Sequence, residues 1–330
     1  MTSPPAEQLL EGRYDSLYVS VHPDDFVLSC AARLASEHAR RARILVVSLI
    51  GGVNDESPAV LTARKALAVV GGTHVSAGVP EARMRNPYYS SFRARMYDRH
   101  ADDETWAVRA AHLLAEIAER VRPRAVYAPL AVGGHVDHRL AHEAALAALE
   151  GRDGRNVYLY EDRPEAVVPG AVRIRLGQLG ARLPPAASGV VEEVRLARFL
   201  MGYHLPGRYR GELRGVVERV RSFGPAARSW LDTRPWRPGK GLGLRIQPIV
   251  HRPADEERDC LRELLEAVAL AGRPRAIARR LDGLAAAYAR RLGGTSAERY
   301  WLVLPQRDSE GRVAVERSAI AEGGGQRPGA

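Results

Sequence analysis

The chain has 330 residues, 45% hydrophobic and 27% charged, with a formal net charge of +10. That length suits one large domain or two smaller ones of roughly 100–200 residues, with enough apolar side chains for a core. No run of about 18 uninterrupted apolar residues occurs, which excludes an apolar membrane-spanning helix.

The start, MTSPPAEQLLEGRYDS, lacks a basic segment followed by an apolar one. No secretory signal is therefore expected, and a cytoplasmic location is. The two cysteines, Cys30 and Cys260, fall in apolar, helix-like stretches without CxxC spacing. They read as small buried hydrophobes rather than a redox or metal pair.

Strand and helix signals alternate along the first half. Ser16–Val21 reads as a buried strand and Phe26–Arg40 as a helix, with Val27, Leu28, Ala31 and Leu34 on one face. Ala42–Ile50 is a second apolar, β-branched run. A helix near Val60–Val70 ends at Gly71-Gly72, and Thr73–Val79 is a third strand. Trp106–Val121 is an amphipathic helix, Arg124–Leu130 a strand, Asp137–Leu149 a helix and Asn156–Glu161 a strand. This alternation predicts an α/β fold with a mostly parallel sheet and helices on both faces. In such sheets ligands bind at the carboxyl ends of the strands.

The pattern changes after Pro164. Val190–Tyr203 is predicted helical. Leu205–His251 is irregular and rich in Gly, Pro and Arg. Helices over Asp255–Ala271 and Pro274–Leu292 and a strand at Tyr300–Leu304 follow. The expected division is a core over 1–204 and a mixed, partly helical portion over 205–330 packing on it. Residues 1–7 and 322–330 are expected to be disordered. The Arg excess is otherwise spread along the chain, with no zinc-finger spacing and no aromatic RNA-binding motif. No nucleic-acid partner is expected. GKGLG at 239–243 lacks the order of a phosphate-binding loop and reads as a turn.

Two polar clusters sit at predicted strand ends: His22-Pro23-Asp24-Asp25, and His135-Val136-Asp137-His138 after a Gly133-Gly134 turn. A catalytic zinc site needs three protein ligands and one position for water. One His and one Asp from the first cluster and one His from the second meet that count. The remaining carboxylate can face the water and take its proton, and the remaining His can face substrate. Asp137 can orient an imidazole. His142 competes as a ligand through HxxxH spacing with His138. Arg139 stands where HExxH requires Glu, so His142 reads as structural.

These two motifs, with Tyr158–Pro164 (YLYEDRP) and the terminal Glu298-Arg299-Tyr300-Trp301, resemble the PIG-L/LmbE-like N-deacetylase family. The resemblance covers roughly residues 14–204 well and the rest loosely. It implies a Rossmann-like fold and one Zn²⁺ per chain, other divalent metals being possible, on His22, Asp25 and His138. It implies Asp24 as general base, His135 at the oxyanion or leaving amine, and Asp137 orienting His135. Departures are Phe26 in place of a common Glu, and the loss of an Arg and a Glu at the start of the second helix. Pro80–Arg85 resembles a variant of a family segment, which makes Arg85 a candidate substrate contact. The expected activity is hydrolysis of an N-acetyl group on an amino sugar or glycoside, as in secondary-metabolite biosynthesis. The small-molecule substrate is expected to be bulky or anionic because of the Arg-rich 205–251 stretch. The alternatives are an amidase on a non-sugar amide, such as a thiol conjugate, and a non-catalytic binding protein on the same scaffold.

Overall fold

The computed structural model describes residues 12–51, 57–149, 155–181, 190–204, 244–269 and 275–304. The first five strands are β1 (Ser16–Ser20), β2 (Ile44–Ile50), β3 (Thr73–Val79), β4 (Ala125–Pro129) and β5 (Asn156–Tyr160). β1 and β2 are buried along their whole length, as continuous apolar strands must be when helices cover both sheet faces. With β6 (Ile246–His251) and β7 (Glu298–Val303) they form one sheet of order β3-β2-β1-β4-β5-β7-β6. The first five are parallel; β7 pairs antiparallel with β5 and β6. Strand order reverses between β1 and β4. Their carboxyl ends therefore flank the topological switch point, where open α/β sheets bind ligands.

Among the described residues the α-helices are α1 (Asp25–Ala39), α2 (Pro58–Val70), α3 (Ala82–Arg85), α4 (Phe92–Tyr97), α5 (Asp102–Val121), α6 (Val136–Leu149), α7 (Ala171–Gln178), α8 (Val190–His204), α9 (Arg258–Ala269) and α10 (Arg275–Arg291). Local chemistry sets their ends. Ser57 caps α2 by accepting from Val60 N, Pro58 stands in its first turn, and Gly71 closes it in the left-handed region at φ 71°. One core holds Leu17, Val19, Leu45 and Val47 against Leu114 of α5 and Leu140 of α6. The other holds Tyr18 and Val46 against Leu34, Ala63 and Leu264 of α1, α2 and α9. No helix among the described residues is long and apolar enough to cross a membrane.

The predicted elements recur within a few residues of their expected ends; the short helices α3, α4 and α7 were not predicted, and two further differences bear on the fold. β6 lies in a stretch expected to be irregular. It is a half-exposed edge strand containing Pro248, so it shows neither apolar alternation nor an unbroken donor series. β6 and β7 also continue the sheet of β1–β5, so one sheet spans the division expected after residue 204. The other expectations for the basic stretch, over 205–243, and for the two tails lie outside the described residues.

β7 begins at Glu298 rather than Tyr300, where it pairs with His251 of β6, and the Glu298 carboxylate has a structural task. Helix α1 breaks its regular conformation at Cys30 (φ −129°, ψ 20°). Glu298 accepts the Ala32 N–H at 2.8 Å and the Arg33 N–H at 3.1 Å, and Tyr300 OH donates to the same carboxylate at 2.6 Å. The side chain caps the restarted half of the helix from across the fold. Glu298→Ala should lower the unfolding free energy by about 2–4 kcal/mol in a denaturant titration, with Glu298→Gln roughly half as costly. An unchanged midpoint for Glu298→Ala would remove this cap from the account.

Candidate active site

The loop after β1 is fixed by Ser20. Its hydroxyl donates to His22 O and accepts the Phe26 N–H at 3.0 Å. Asp25 opens α1 and accepts the His22 N–H at 2.9 Å, which turns its carboxylate back toward the His22 ring. Asp24 is the N-cap residue, yet its side chain makes no capping bond, and it lines a cleft of about 630 Å³. After β4, the Gly133-Gly134 turn runs at positive φ (86° and 76°) and carries the chain into α6. His135, Asp137 and His138 reach the same cleft.

The two motifs therefore meet. Donor atoms of His22, Asp25 and His138 lie within 4.8 Å of one another. Asp25 Oδ2 is 3.0 Å from His22 Nδ1 and 3.7 Å from His138 Nε2. A tetrahedral ion with bonds of about 2.0–2.2 Å spaces its ligands about 3.4 Å apart, so this N/O/N set fits a divalent metal.

Each ring is held from behind by a carboxylate. His138 Nδ1 is 2.8 Å from Asp162 Oδ1, and Asp162 Oδ2 accepts the Val132 N–H at 3.0 Å. His22 Nε2 is 3.4 Å from Asp137 Oδ2. Such outer carboxylates fix the ring's orientation and raise its basicity. Asp137, expected to orient His135, stands nearer His22, since its Oδ2 is 3.9 Å from His135 Nδ1. His135 Nδ1 instead accepts the Asp137 backbone N–H at 3.2 Å, which puts the proton of the neutral ring on Nε2.

Arg85 occupies a different place from the one expected. Its side chain, 1% exposed, does not face the cleft. It donates to Asp137 Oδ1 at 2.7 Å, Pro80 O at 2.8 Å and Asp103 Oδ1 at 3.2 Å. Tyr89 OH donates to the same Asp103 carboxylate. Arg85 thus anchors the carboxylate behind His22, while Arg83 and Arg163 line the cleft. His142 is buried with Nδ1 donating to Pro129 O at 2.8 Å. Burial and the nearby Arg175 charge push its pKa down to about 3, so it is a neutral structural residue.

Asp162 was not singled out by the sequence reading. Its signal was present in weak form: a carboxylate just past the end of β5, as the two His/Asp motifs stand past β1 and β4.

Burial works against charge on both rings, but their carboxylates outweigh it. His138 is raised to about 9 by Asp162 and Asp25, and His22 lies well above its ordinary value through Asp137 and Asp25. Asp25 and Asp137 lie well below the usual carboxylate range: burial raises them, and the imidazoles, with Arg85 for Asp137, more than reverse that.

A model of the PIG-L family, GlcNAc-PI de-N-acetylase, matches residues 17–149. The chain is 33% identical over 214 residues to 2'-N-acetylparomamine deacetylase of Streptomyces fradiae, covering 59% of this chain and 75% of that protein. The chain belongs to the PIG-L family. Solved structures of similar fold include a teicoplanin-pathway deacetylase (20% identity, TM-score 0.57, 89% of this chain and 99% of that one). Another is A40926 pseudoaglycone deacetylase (18% identity, TM-score 0.54, 92% and 100%). Teicoplanin deacetylase is also known in a zinc-inhibited form (20% identity, TM-score 0.55, 89% and 99%).

For this PIG-L chain, two measurements test the divalent site. Binding a cation must displace the protons on His22 and His138, so apparent affinity should rise up to about 100-fold per pH unit between pH 6 and 8. Chelator competition measures this, and a flat profile would contradict it. The sign for the metal-free fold is opposite. Stability contributed by His138 is full below the unfolded pKa of about 6.5 and is lost as pH rises through about 9. Asp162→Asn should weaken metal binding about 10–100-fold with the fold intact by circular dichroism.

Proposed function

We propose that the protein removes the N-acetyl group from an amino sugar within a small-molecule glycoside, releasing acetate and a free amine. In this reading the divalent ion is zinc, held by His22, Asp25 and His138. The observation that carries it is the meeting of these three ligands with Asp24 and His135 in one cleft, in a member of a de-N-acetylase family. The likeness to 2'-N-acetylparomamine deacetylase supports an aminoglycoside-type substrate of secondary metabolism. The two-imidazole, one-carboxylate set supports zinc, although iron or cobalt suits the same donors.

When bound, the ion supplies Lewis acidity at the acetamide carbonyl and makes water acidic near neutral pH. The rest is done by side chains. Asp24 takes a proton from the attacking water as the new C–O bond forms. His135, with Nδ1 engaged by the Asp137 N–H, offers Nε2–H to the developing oxyanion. Asp24 then passes its proton to the amine nitrogen as the C–N bond breaks. Asp137, locked by Arg85, keeps the His22 ring in place throughout.

Amine release should be measured over a panel of N-acetyl amino sugars and aminoglycosides, with and without a chelator. Chelation should abolish it. Because a zinc-inhibited form exists for the teicoplanin enzyme, zinc is best added at one equivalent. Asp24→Asn should lose about 10²–10⁴ in kcat while retaining the metal. Full activity in that metal-loaded variant would end the assignment of Asp24 as base. No amine from any substrate in the panel would end the sugar deacetylase reading.

A further inference from the structure

A separate cavity of about 40 Å³ adjoins the Gly133-Gly134 turn that delivers His135 to the cleft. Its lining includes Met96, Gln178 and Leu200, and among the described residues Arg175 is its one charged group. Arg175 is 8% exposed. Its Nε donates to Leu130 O at 2.8 Å. Among the described residues no carboxylate reaches ion-pair distance of Arg175, and its two Nη groups have no hydrogen-bond partner.

Two arginines crowd here, with Asp162 and Glu143 as carboxylates within electrostatic reach but not in contact with Arg175. Arg139 lies within electrostatic reach of Arg175, donates to Asp98 O and keeps a buried Nε without a partner. The buried His142 Nε2 also has no partner. Burial first, then Arg139, pushes the Arg175 pKa down to about 10, and Asp162 and Glu143 offset this only in part. A buried cation without a counter-charge in direct contact is costly to keep, and such groups are found paired. A water needs about 10–15 Å³ of such space, so the cavity has room for something larger than one water.

We propose that this cavity is a binding site for a small monovalent anion of chloride size, held by the Arg175 guanidinium. The anion completes the hydrogen bonding of the Nη groups, offsets the Arg139–Arg175 repulsion and fills the space beneath the catalytic turn. That turn has little slack: a Cβ at Gly134 would come within 3.3 Å of Met96 O. Occupancy therefore stabilises the segment that presents His135. The site is independent of the substrate and of the metal's identity.

The test uses the metal-loaded full chain. Melting is followed in sodium chloride, bromide and gluconate at equal ionic strength. Chloride and bromide should raise Tm saturably by roughly 3–5 °C over gluconate, which is too large for the cavity. Arg175→Gln should lose that increment. So should Ala197→Leu, which fills the cavity and leaves the arginine, and which serves if the first variant folds poorly. Bromide-soaked crystals should show an anomalous scatterer beside the Arg175 guanidinium. Equal melting in all three salts overturns the proposal, even with a bromide peak, which would then mark an adventitious ion only. A halide effect without a scatterer at Arg175, or one surviving in Ala197→Leu, overturns it as well.

Discussion

The candidate site depends on pairing each imidazole beside Asp25 with a carboxylate on its far nitrogen. His22 has Asp137 behind it and His138 has Asp162, while both turn their other nitrogen toward Asp25. An imidazole ring on a loop has two soft torsions. Only a second hydrogen bond converts it from a residue of the right type into a donor at a fixed point. The carboxylates are buried, so each needs its own partner: Arg85 for Asp137 and the Val132 N–H for Asp162. The positive charge of a bound ion belongs to the same balance, since three carboxylates converge on two rings.

The fold makes that convergence possible by reversing strand order. Because β1 and β4 are neighbours, the loops that follow them share one opening although they are remote in the chain. The loop after β5 lies one strand further along and supplies Asp162. Three successive strand ends thus contribute one layer of candidate ligands and one of supports. Arg83 of α3, Arg163 after β5 and Tyr203 of α8 line the cleft wall from outside the sheet.

What was legible in the sequence was local. The strand–helix alternation gave the parallel sheet, because a strand buried on both faces is a continuous apolar run. The two His/Asp clusters were visible because their residues are adjacent and follow such runs. What escaped depends on distant partners. Arg85 looked like a surface or substrate-binding arginine because nothing near it in the chain shows that Asp137 and Asp103 will enclose it. Glu298 and β6 escaped for the same reason: the acceptor role of Glu298 appears only when α1 kinks beside it. An edge strand with a proline carries no pattern of its own.

The Glu298 cap also bears on synthesis. The helix that carries Asp25 emerges from the ribosome early, but the carboxylate that receives its Ala32 and Arg33 N–H groups lies 266 and 265 residues later. Until β7 is in place, the restarted half of α1 lacks the acceptor for these two N–H groups. Completion of this helix is therefore tied to a finished sheet rather than to its own local sequence.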